Sequence, residues 1–235
     1  MSSLQSLILD PRYQELFAIL KGARNGFVYG CKIRFPHALV MTFLFSNKPL
    51  PQKIQAIFRA TLTHAVNLTK FVTLYKLLLL LQRKVSRAGK ERSLDSFVAG
   101  ALGGWWVFGE RTAINEQIVL YVCSRVVASF LPRLYSTRPP QSTTAANAPS
   151  FLRNTPLEPL PSPLPPLTST AANPRPIPPA QMPFAVFAAV CWGCVMYIYR
   201  HRGEKLQPGM VNSMKYLYRD SEHWTSLRNL LWHNK

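Results

Sequence analysis

Five polar side chains recur at helical spacing inside a long apolar segment, and two of the five carry a positive charge. They fall on one face of a helix, at i, i+4, i+8, i+12 and i+15: Gln55, Arg59, Thr63, Asn67 and Lys70. Cations at membrane depth are costly and usually face a bundle interior or an aqueous cavity. These five residues, here named the polar stripe, therefore predict a polar cavity that favours anionic solutes. The open alternative is an interfacial amphipathic helix whose basic residues face lipid headgroups.

No motif of a familiar enzyme class accompanies the polar stripe. The sequence has neither a nucleotide-binding glycine loop nor a Gly-x-Ser-x-Gly elbow. Its histidines lack metal-ligand spacing, and His64 reads as a packed or hydrogen-bonded residue. Glu110 and Glu116 suggest either ion pairs with Arg111 or Arg125, or a proton or substrate relay. We therefore predict neither catalytic activity nor a cofactor or metal.

The composition indicates a membrane protein. Only 16% of the residues are charged, against about 25% in ordinary soluble proteins. The 28 Lys and Arg residues outnumber the 10 Asp and Glu residues, for a net charge of +18. The basic residues flank apolar segments, as the positive-inside rule describes, and form no nucleic-acid-binding module. We expect a lipid bilayer around the chain and no nucleic acid partner.

Five apolar segments are candidates to enter that bilayer, over 15–45, 53–81, 93–108, 113–131 and 184–199. Most of the chain's 20 prolines fall in 132–183, which predicts an extended or disordered linker. The predicted parts are therefore an N-terminal tail (1–14), a helical core (15–131), this linker, a C-terminal membrane helix (184–199) and a basic amphipathic tail (200–235). Loop charges around the first four segments place the N-terminal tail and the 82–92 loop in the cytosol. With five spans the basic tail cancels that bias, so its side stays open.

The first segment carries three glycines at i, i+4 and i+8: Gly22, Gly26 and Gly30. Each would cost about 1 kcal/mol relative to alanine in a soluble helix, whereas in lipid small residues let two helices approach closely. Further glycines in the third segment are the expected partners: Gly100, Gly103 and Gly104. Pro36 should kink or split the first segment. We predict an all-α integral membrane protein, a glycine-packed bundle of about four core transmembrane helices plus the C-terminal hydrophobic helix. A weaker polar set lies beside the first glycines: Lys21, Arg24, Asn25 and Lys32.

The block from Leu20 to Phe45 closely resembles the peroxisomal membrane protein 4 family. Further matches lie at 102–104, 107–110 and 124–126 and in the tail between 206 and 224. That family is similar, more distantly, to the mitochondrial inner-membrane translocase and preprotein–amino-acid transporter superfamily. The signature of that superfamily ends in Arg-x3-Asp-x6-small-Gly-x3-Gly. Residues 99–104 match its glycine end, but the Arg and Asp that should precede the glycines are more closely spaced here, at 92 and 95.

The resemblance implies a multi-pass protein of the peroxisomal membrane, with the mitochondrial inner membrane as the alternative location. It also implies a membrane-protein import receptor or chaperone as a partner. Two functions remain open at this stage. One is a pore or permease for small anionic solutes that uses Arg59, Asn67 and Lys70. The other is a structural or scaffolding component whose working surfaces are the linker and the basic tail. A homo-oligomer is compatible with both.

Overall fold

Five long helices form most of the part of the chain that the computed structural model describes, which is residues 10, 13–86, 92–131 and 181–232. No strand occurs in these ranges. Each helix coincides within a few residues with one of the five apolar segments. In chain order the helices are α1 (Gln14–Phe45), α2 (Leu50–Val85), α3 (Asp95–Phe108), α4 (Ala113–Phe130) and α5 (Gln181–Arg202).

Almost all of the predicted N-terminal tail and of the Pro-rich linker lies outside the described residues, so both stay predictions. The chain after α5 consists of short helical turns. They are a 3₁₀ turn (Gly203–Lys205), α6 (Pro208–Met214), a π-helical turn (Lys215–Arg219), a second 3₁₀ turn (Asp220–Glu222) and α7 (Leu227–Leu231). We call residues 203–232 the C-terminal segment.

Helix α1 runs through Pro36 as one element, so of the two predicted effects of this proline, a kink or a split, the split does not occur. Residues on both sides of the proline pack on α2. Gly30 lies against Ala65, and the rings of Phe35 and Phe58 have centroids 6.4 Å apart. Because the same neighbouring helix holds both halves of α1, the hydrogen bond that a proline removes does not end the helix.

Two local signals set where α2 and α4 begin. Helix α2 has a proline in its first turn, where a backbone N–H would have no partner within the helix. Helix α4 is capped by Thr112, whose side chain accepts a hydrogen bond from the backbone N–H of Asn115 at 3.2 Å. These signals fix the first turns of the two helices that carry the polar stripe and Asn115.

The centre of the core is an aromatic cluster from α2, α3 and α5. The ring centroid of Trp192 lies 4.2 Å from that of Phe71 and 4.8 Å from that of Phe108. Gly100 of α3 lies against Trp192 and Met196 of α5, whereas Gly104, one turn later in α3, lies against Ala188, one turn earlier in α5. Helix α5 is therefore an antiparallel neighbour of α3 and a central part of the bundle, although about fifty residues separate it from α4 in the chain.

Several helix ends meet on one side of the bundle. The C-terminal segment follows α5 and contacts the start of α1 through Lys21 and the last turns of α2 through Lys76. The start of α3 lies there as well, because the ring of His201 is 2.9 Å from the carbonyl oxygen of Ser93. Exposed cations are frequent on this side, which we call the basic end: Lys84, Arg92, Arg200, Arg202, Lys205, Lys215, Arg219 and Arg228.

Two of the described stretches are long and apolar enough to cross a bilayer, Leu50–Val85 and Gln181–Lys205. Apolar side chains are also exposed on the other helices, among them Leu44 on α1, Leu102 on α3 and Phe130 on α4. Trp106 is 81% exposed. Exposed apolar surface over several helices is typical of a lipid-facing protein. The count of about four core spans stays a prediction.

Candidate functional site

The glycines of α1 form its contact with α2. A Cβ added to Gly30 would lie 2.6 Å from the Cα of Ala65, and one added to Gly26 would lie 3.1 Å from the Cα of Thr69. Gly22, nearer the basic end, faces the side chains of Val72 and Lys76. The spacing of four therefore coincides with a close approach of two antiparallel helices.

The glycines of α3 lie against other elements. A Cβ on Gly100 would come within 2.7 Å of the carbonyl oxygen of Trp192, and one on Gly104 within 2.9 Å of that of Ala188. Gly103 instead faces the ring of Phe71 on α2. The expectation that the two glycine sets meet each other is therefore wrong. Spacing identifies a small-residue face but carries no information on which helix covers it.

The polar stripe lies on the outer face of α2. Gln55, Arg59, Thr63 and Lys70 are exposed, because the opposite face of α2 packs against α1 and α3. The stripe therefore encloses no internal cavity within the described part of a single chain, contrary to the expectation of a bundle interior. In a bilayer such a face must meet water, lipid headgroups or another protein chain.

Among the described residues, Asn67 is the one member of the stripe that is hydrogen-bonded to another helix. It is half-buried, and its Nδ2 donates to Oδ1 of the buried Asn115 at 3.2 Å. Asn115 in turn donates from Nδ2 to the carbonyl oxygen of Glu110 at 2.9 Å. Arg59 and Lys70 form no hydrogen bond or ion pair with any described residue. The two stripe cations are thus free to interact with groups outside the chain.

Other polar residues of α1 are buried, in contacts that sequence reasoning missed. Lys21 is only 1% exposed, and its Nζ donates to the carbonyl oxygen of His223 at 2.5 Å and to Oδ1 of Asn229 at 3.1 Å. Asn25 is fully buried and donates from Nδ2 to the carbonyl oxygen of Tyr216 at 2.8 Å. Backbone and side-chain oxygens of the C-terminal segment thus compensate polar groups that would be costly to bury alone.

Lys76 on α2 makes a third contact of this kind. Its Nζ donates to the carbonyl oxygen of Tyr218 at 3.1 Å and lies 3.6 Å from Oε1 of Glu222. A lone lysine in the apolar run 71–81 was the available signal for this contact. Nothing in the sequence indicated that its partner lies 142 residues further along the chain.

Aromatic contacts add to the docking of the C-terminal segment. The rings of Phe17 and Trp224 pack edge to face with centroids 6.4 Å apart, as do Tyr75 and Tyr218 at 5.1 Å. The hydroxyls of Tyr29 and Ser213 are hydrogen-bonded. Burial raises the pKa of Tyr218 well above its ordinary value. The predicted tail is therefore packed through contacts within residues 203–232, while several of its cations stay exposed.

The carboxylates Glu110 and Glu116 take structural positions. Glu116 pairs with Arg111 at 3.1 Å, which is the plainer of the two alternatives for these residues. Glu110 is exposed and contributes its backbone carbonyl to Asn115. Among the described residues no three His, Cys, Asp or Glu side chains come together as a metal site.

Comparison with known proteins identifies relatives over almost the whole chain. Residues 13–124 match the Tim17/Tim22/Tim23/Pmp24 family. The chain is 38% identical over 233 residues to "Peroxisomal membrane protein 4" of cattle (Bos taurus), covering 99% of this chain and 92% of the relative. The same figures hold for the human (Homo sapiens) protein of that name. No solved structure matches.

These matches confirm the resemblance of the Leu20–Phe45 block and the prediction of an all-α membrane protein. They also support the peroxisomal membrane as its location, and the relation to the Tim17 proteins is consistent with the mitochondrial alternative.

Proposed function

We propose that this chain, which belongs to the Tim17/Tim22/Tim23/Pmp24 family, provides a passage for small anionic solutes across the peroxisomal membrane. Catalysis has no part in the proposal. The observation that carries it is the exposed polar stripe on α2, a helix long and apolar enough to cross the bilayer. Its two cations have no partner among the described residues and are free to attract anions.

The length of the stripe fits this role. Arg59 and Lys70 are eleven positions apart, which in an α-helix is roughly 16 Å along the axis, about half the thickness of the hydrocarbon core. Thr63 and Asn67 lie between them and supply neutral polar groups. A solute passing along α2 would meet a cation, two neutral hydrogen-bonding groups and a second cation, a sequence that favours anions without trapping them.

The stripe is open to one side, so a single chain provides only one wall of such a passage. We propose that a second copy of the chain supplies the facing wall. In this arrangement the stripe cations of both copies would face water and solute instead of lipid. Their contact with water would lower the free-energy cost of keeping charges at membrane depth. The partners proposed are thus the bilayer, a second copy and, from the resemblance alone, an import receptor or chaperone that delivers the protein.

A structural or scaffolding role is the second candidate, and the basic end is the observation that favours it. Exposed cations of the C-terminal segment, such as Lys215 and Arg228, would suit an acidic partner surface. Under this alternative the polar stripe would be an assembly contact, and reconstituted protein would conduct no solute.

Flux measurements in liposomes test the two candidates. The variant with Arg59→Ala and Lys70→Ala is compared with the parent and with a matched variant, Lys48→Ala plus Lys215→Ala, which loses two exposed cations away from the stripe. We expect the stripe variant to lose most of its flux of small carboxylates and the matched variant to keep it. Equal flux in all three would overturn the role of the stripe. Absence of flux from the parent, combined with specific protein cross-links at the basic end, would favour the scaffold.

A further inference from the structure

Three basic side chains from α1 and α2 lie in one section of the contact between these helices, next to the polar stripe. Arg34 and His37 lie one turn apart on α1, and His64 lies on α2, one turn before Asn67. Both α1 residues are close enough to His64 to act on it electrostatically. The packing of Gly30 on Ala65 and of Phe35 near Phe58 brackets Arg34 and His64, and His37 follows Phe35 by two residues, so the cluster belongs to a well-defined section of the α1–α2 contact.

This cluster has no counter-charge among the described residues. The ion pairs of the described residues lie elsewhere and join Lys76 with Glu222, Arg83 with Glu15 and Arg111 with Glu116. Within the described part of the chain, Arg34 donates one hydrogen bond, from Nη1 to Oε1 of Gln117 at 3.3 Å.

Two nitrogens of the cluster are buried without any hydrogen-bond partner in the described part of the chain. They are Nε of Arg34 and Nδ1 of His64. Buried polar atoms of proteins are almost always hydrogen-bonded. Nε of the Arg34 guanidinium is therefore a donor that an acceptor from outside the chain could satisfy.

We propose that Arg34, His37 and His64 bind a small oxyanion, the carboxylate or phosphate group of a solute. A guanidinium pairs with two oxygens of such a group in a planar geometry, and imidazole N–H groups supply further donors. The amide of Gln117 lies within reach of Arg34. In the passage proposed above this is an anion subsite beside the stripe. That role rests on the proposed function, whereas binding itself does not require transport.

The depth of the cluster favours a solute over a lipid. Arg34 precedes the end of α1 at Phe45 by eleven residues, roughly 16 Å of helix, so a bilayer boundary at that end of α1 would put Arg34 near the middle of a 30 Å hydrocarbon core. Phosphates of lipid headgroups lie at the surface of the bilayer, outside that core. A lipid phosphate would therefore have to leave the bilayer surface to reach the cluster, whereas a solute could reach it along the polar stripe.

Histidine NMR in nanodiscs tests the proposal. The full chain, with ¹⁵N-labelled imidazole rings, is placed in phosphatidylcholine discs and titrated with acetate and with inorganic phosphate at constant ionic strength. We expect saturable shifts of the His37 and His64 signals, and none at His201 or His223, which lie at the basic end and serve as internal controls. Equal or linear shifts at all histidines, or no shift at His37 and His64, would overturn the site.

Two variants separate binding from folding. Arg34→Gln should weaken anion affinity roughly tenfold or more, because it removes a charged donor, while Arg34→Lys should retain part of it. His64→Gln keeps His37 as a readout and should also weaken binding. Helical circular dichroism equal to that of the parent establishes that each variant is folded. Unchanged affinity in the folded Arg34→Gln variant contradicts the proposal.

A lipid arm and a transport arm complete the test. Discs with phosphatidic acid and no added solute should leave the His37 and His64 signals in place, and a shift there with no response to soluble anions would assign the cluster to lipid. The variant with Arg59→Ala and Lys70→Ala should lose flux yet still bind at the cluster. If the parent binds anions but conducts none, the site stands and the proposed passage falls. If the parent conducts anions but binds none at the cluster, the proposed passage stands and the site is overturned.

Discussion

Lys21 donates a hydrogen bond from Nζ to the carbonyl oxygen of His223, a residue 202 positions later in the chain. The bond closes the C-terminal segment over the start of α1 and leaves the lysine almost without solvent contact. A cation that reads as part of a polar membrane face is therefore the anchor of a distant segment.

Replacing Lys21 should release that segment. Removing one partner from a buried, hydrogen-bonded charge contact typically costs about 3–5 kcal/mol of stability. For Lys21→Met we expect the lower end of that range, because methionine leaves no buried charge behind. We expect Lys21→Met to speed tryptic cleavage near Arg219 and Arg228 several-fold. Lys32→Met, an exposed change on the same helix, is the control. Equal cleavage of both variants would argue against the anchor.

Glycine substitutions should depend on the partner that each glycine meets. Gly30→Ala would bring Cβ to 2.6 Å from the Cα of Ala65, a clash with backbone that no rotamer change relieves. We expect a loss of about 1–3 kcal/mol in unfolding free energy, measured in detergent. Gly209→Ala meets nothing within 4 Å and shares the helix-propensity gain of alanine, so it should be neutral or mildly stabilising. Equal effects at both positions would be inconsistent with the α1–α2 contact.

Docking of the C-terminal segment should weaken at alkaline pH. Burial raises the pKa of Tyr218 above its ordinary value of 10.0, so the undocked form loses this proton at a lower pH than the docked form. The contribution of this group to stability is complete below about pH 10 and is lost as pH rises from there toward the pKa of the docked form. Protease resistance of the segment, followed from pH 8 to 11, should fall in the parent.

Tyr218→Phe removes the titrating group and should flatten that pH dependence, whereas Tyr13→Phe, an exposed change, should not. A profile for Tyr218→Phe that matches the parent would assign the effect to another group.

The basic end predicts the orientation of the protein. The end of α5 lies beside the start of α3, so the C-terminal segment shares a side with the start of α1 and the end of α2. A shared side requires an even number of crossings, so the five apolar segments cannot all be simple spans, and the cations of the tail then add to those of 82–92 instead of opposing them. We expect the basic end to face the cytosol.

Cysteine accessibility in a background without the four native cysteines tests this orientation. In intact peroxisomes, Asn212→Cys and Arg92→Cys should react with an impermeant maleimide, and Asn47→Cys and Thr112→Cys should react only after the membrane is opened. Opposite labelling of Asn212→Cys and Arg92→Cys would contradict the shared side of α5 and α3.

Local pattern was sufficient for the positions of the helices and for their small-residue faces. The apolar segments match α1 to α5, since hydrophobic length is a property of consecutive residues. The polar stripe does lie on one face of α2, as its spacing requires. Pattern could not tell whether that face points inward, because exposure depends on which neighbours cover the other side.

The sequence by itself determined that the chain is helical, lipid-embedded and closely packed at glycines such as Gly26 and Gly104. Only the tertiary structure decided that Gly26 meets α2 while Gly104 meets α5, and that Lys21 is held by the C-terminal segment. The physical reason is one of range. Periodicity and composition act between residues close in the chain, whereas pairing of faces and compensation of buried charge depend on acceptors and surfaces that folding brings from far along it.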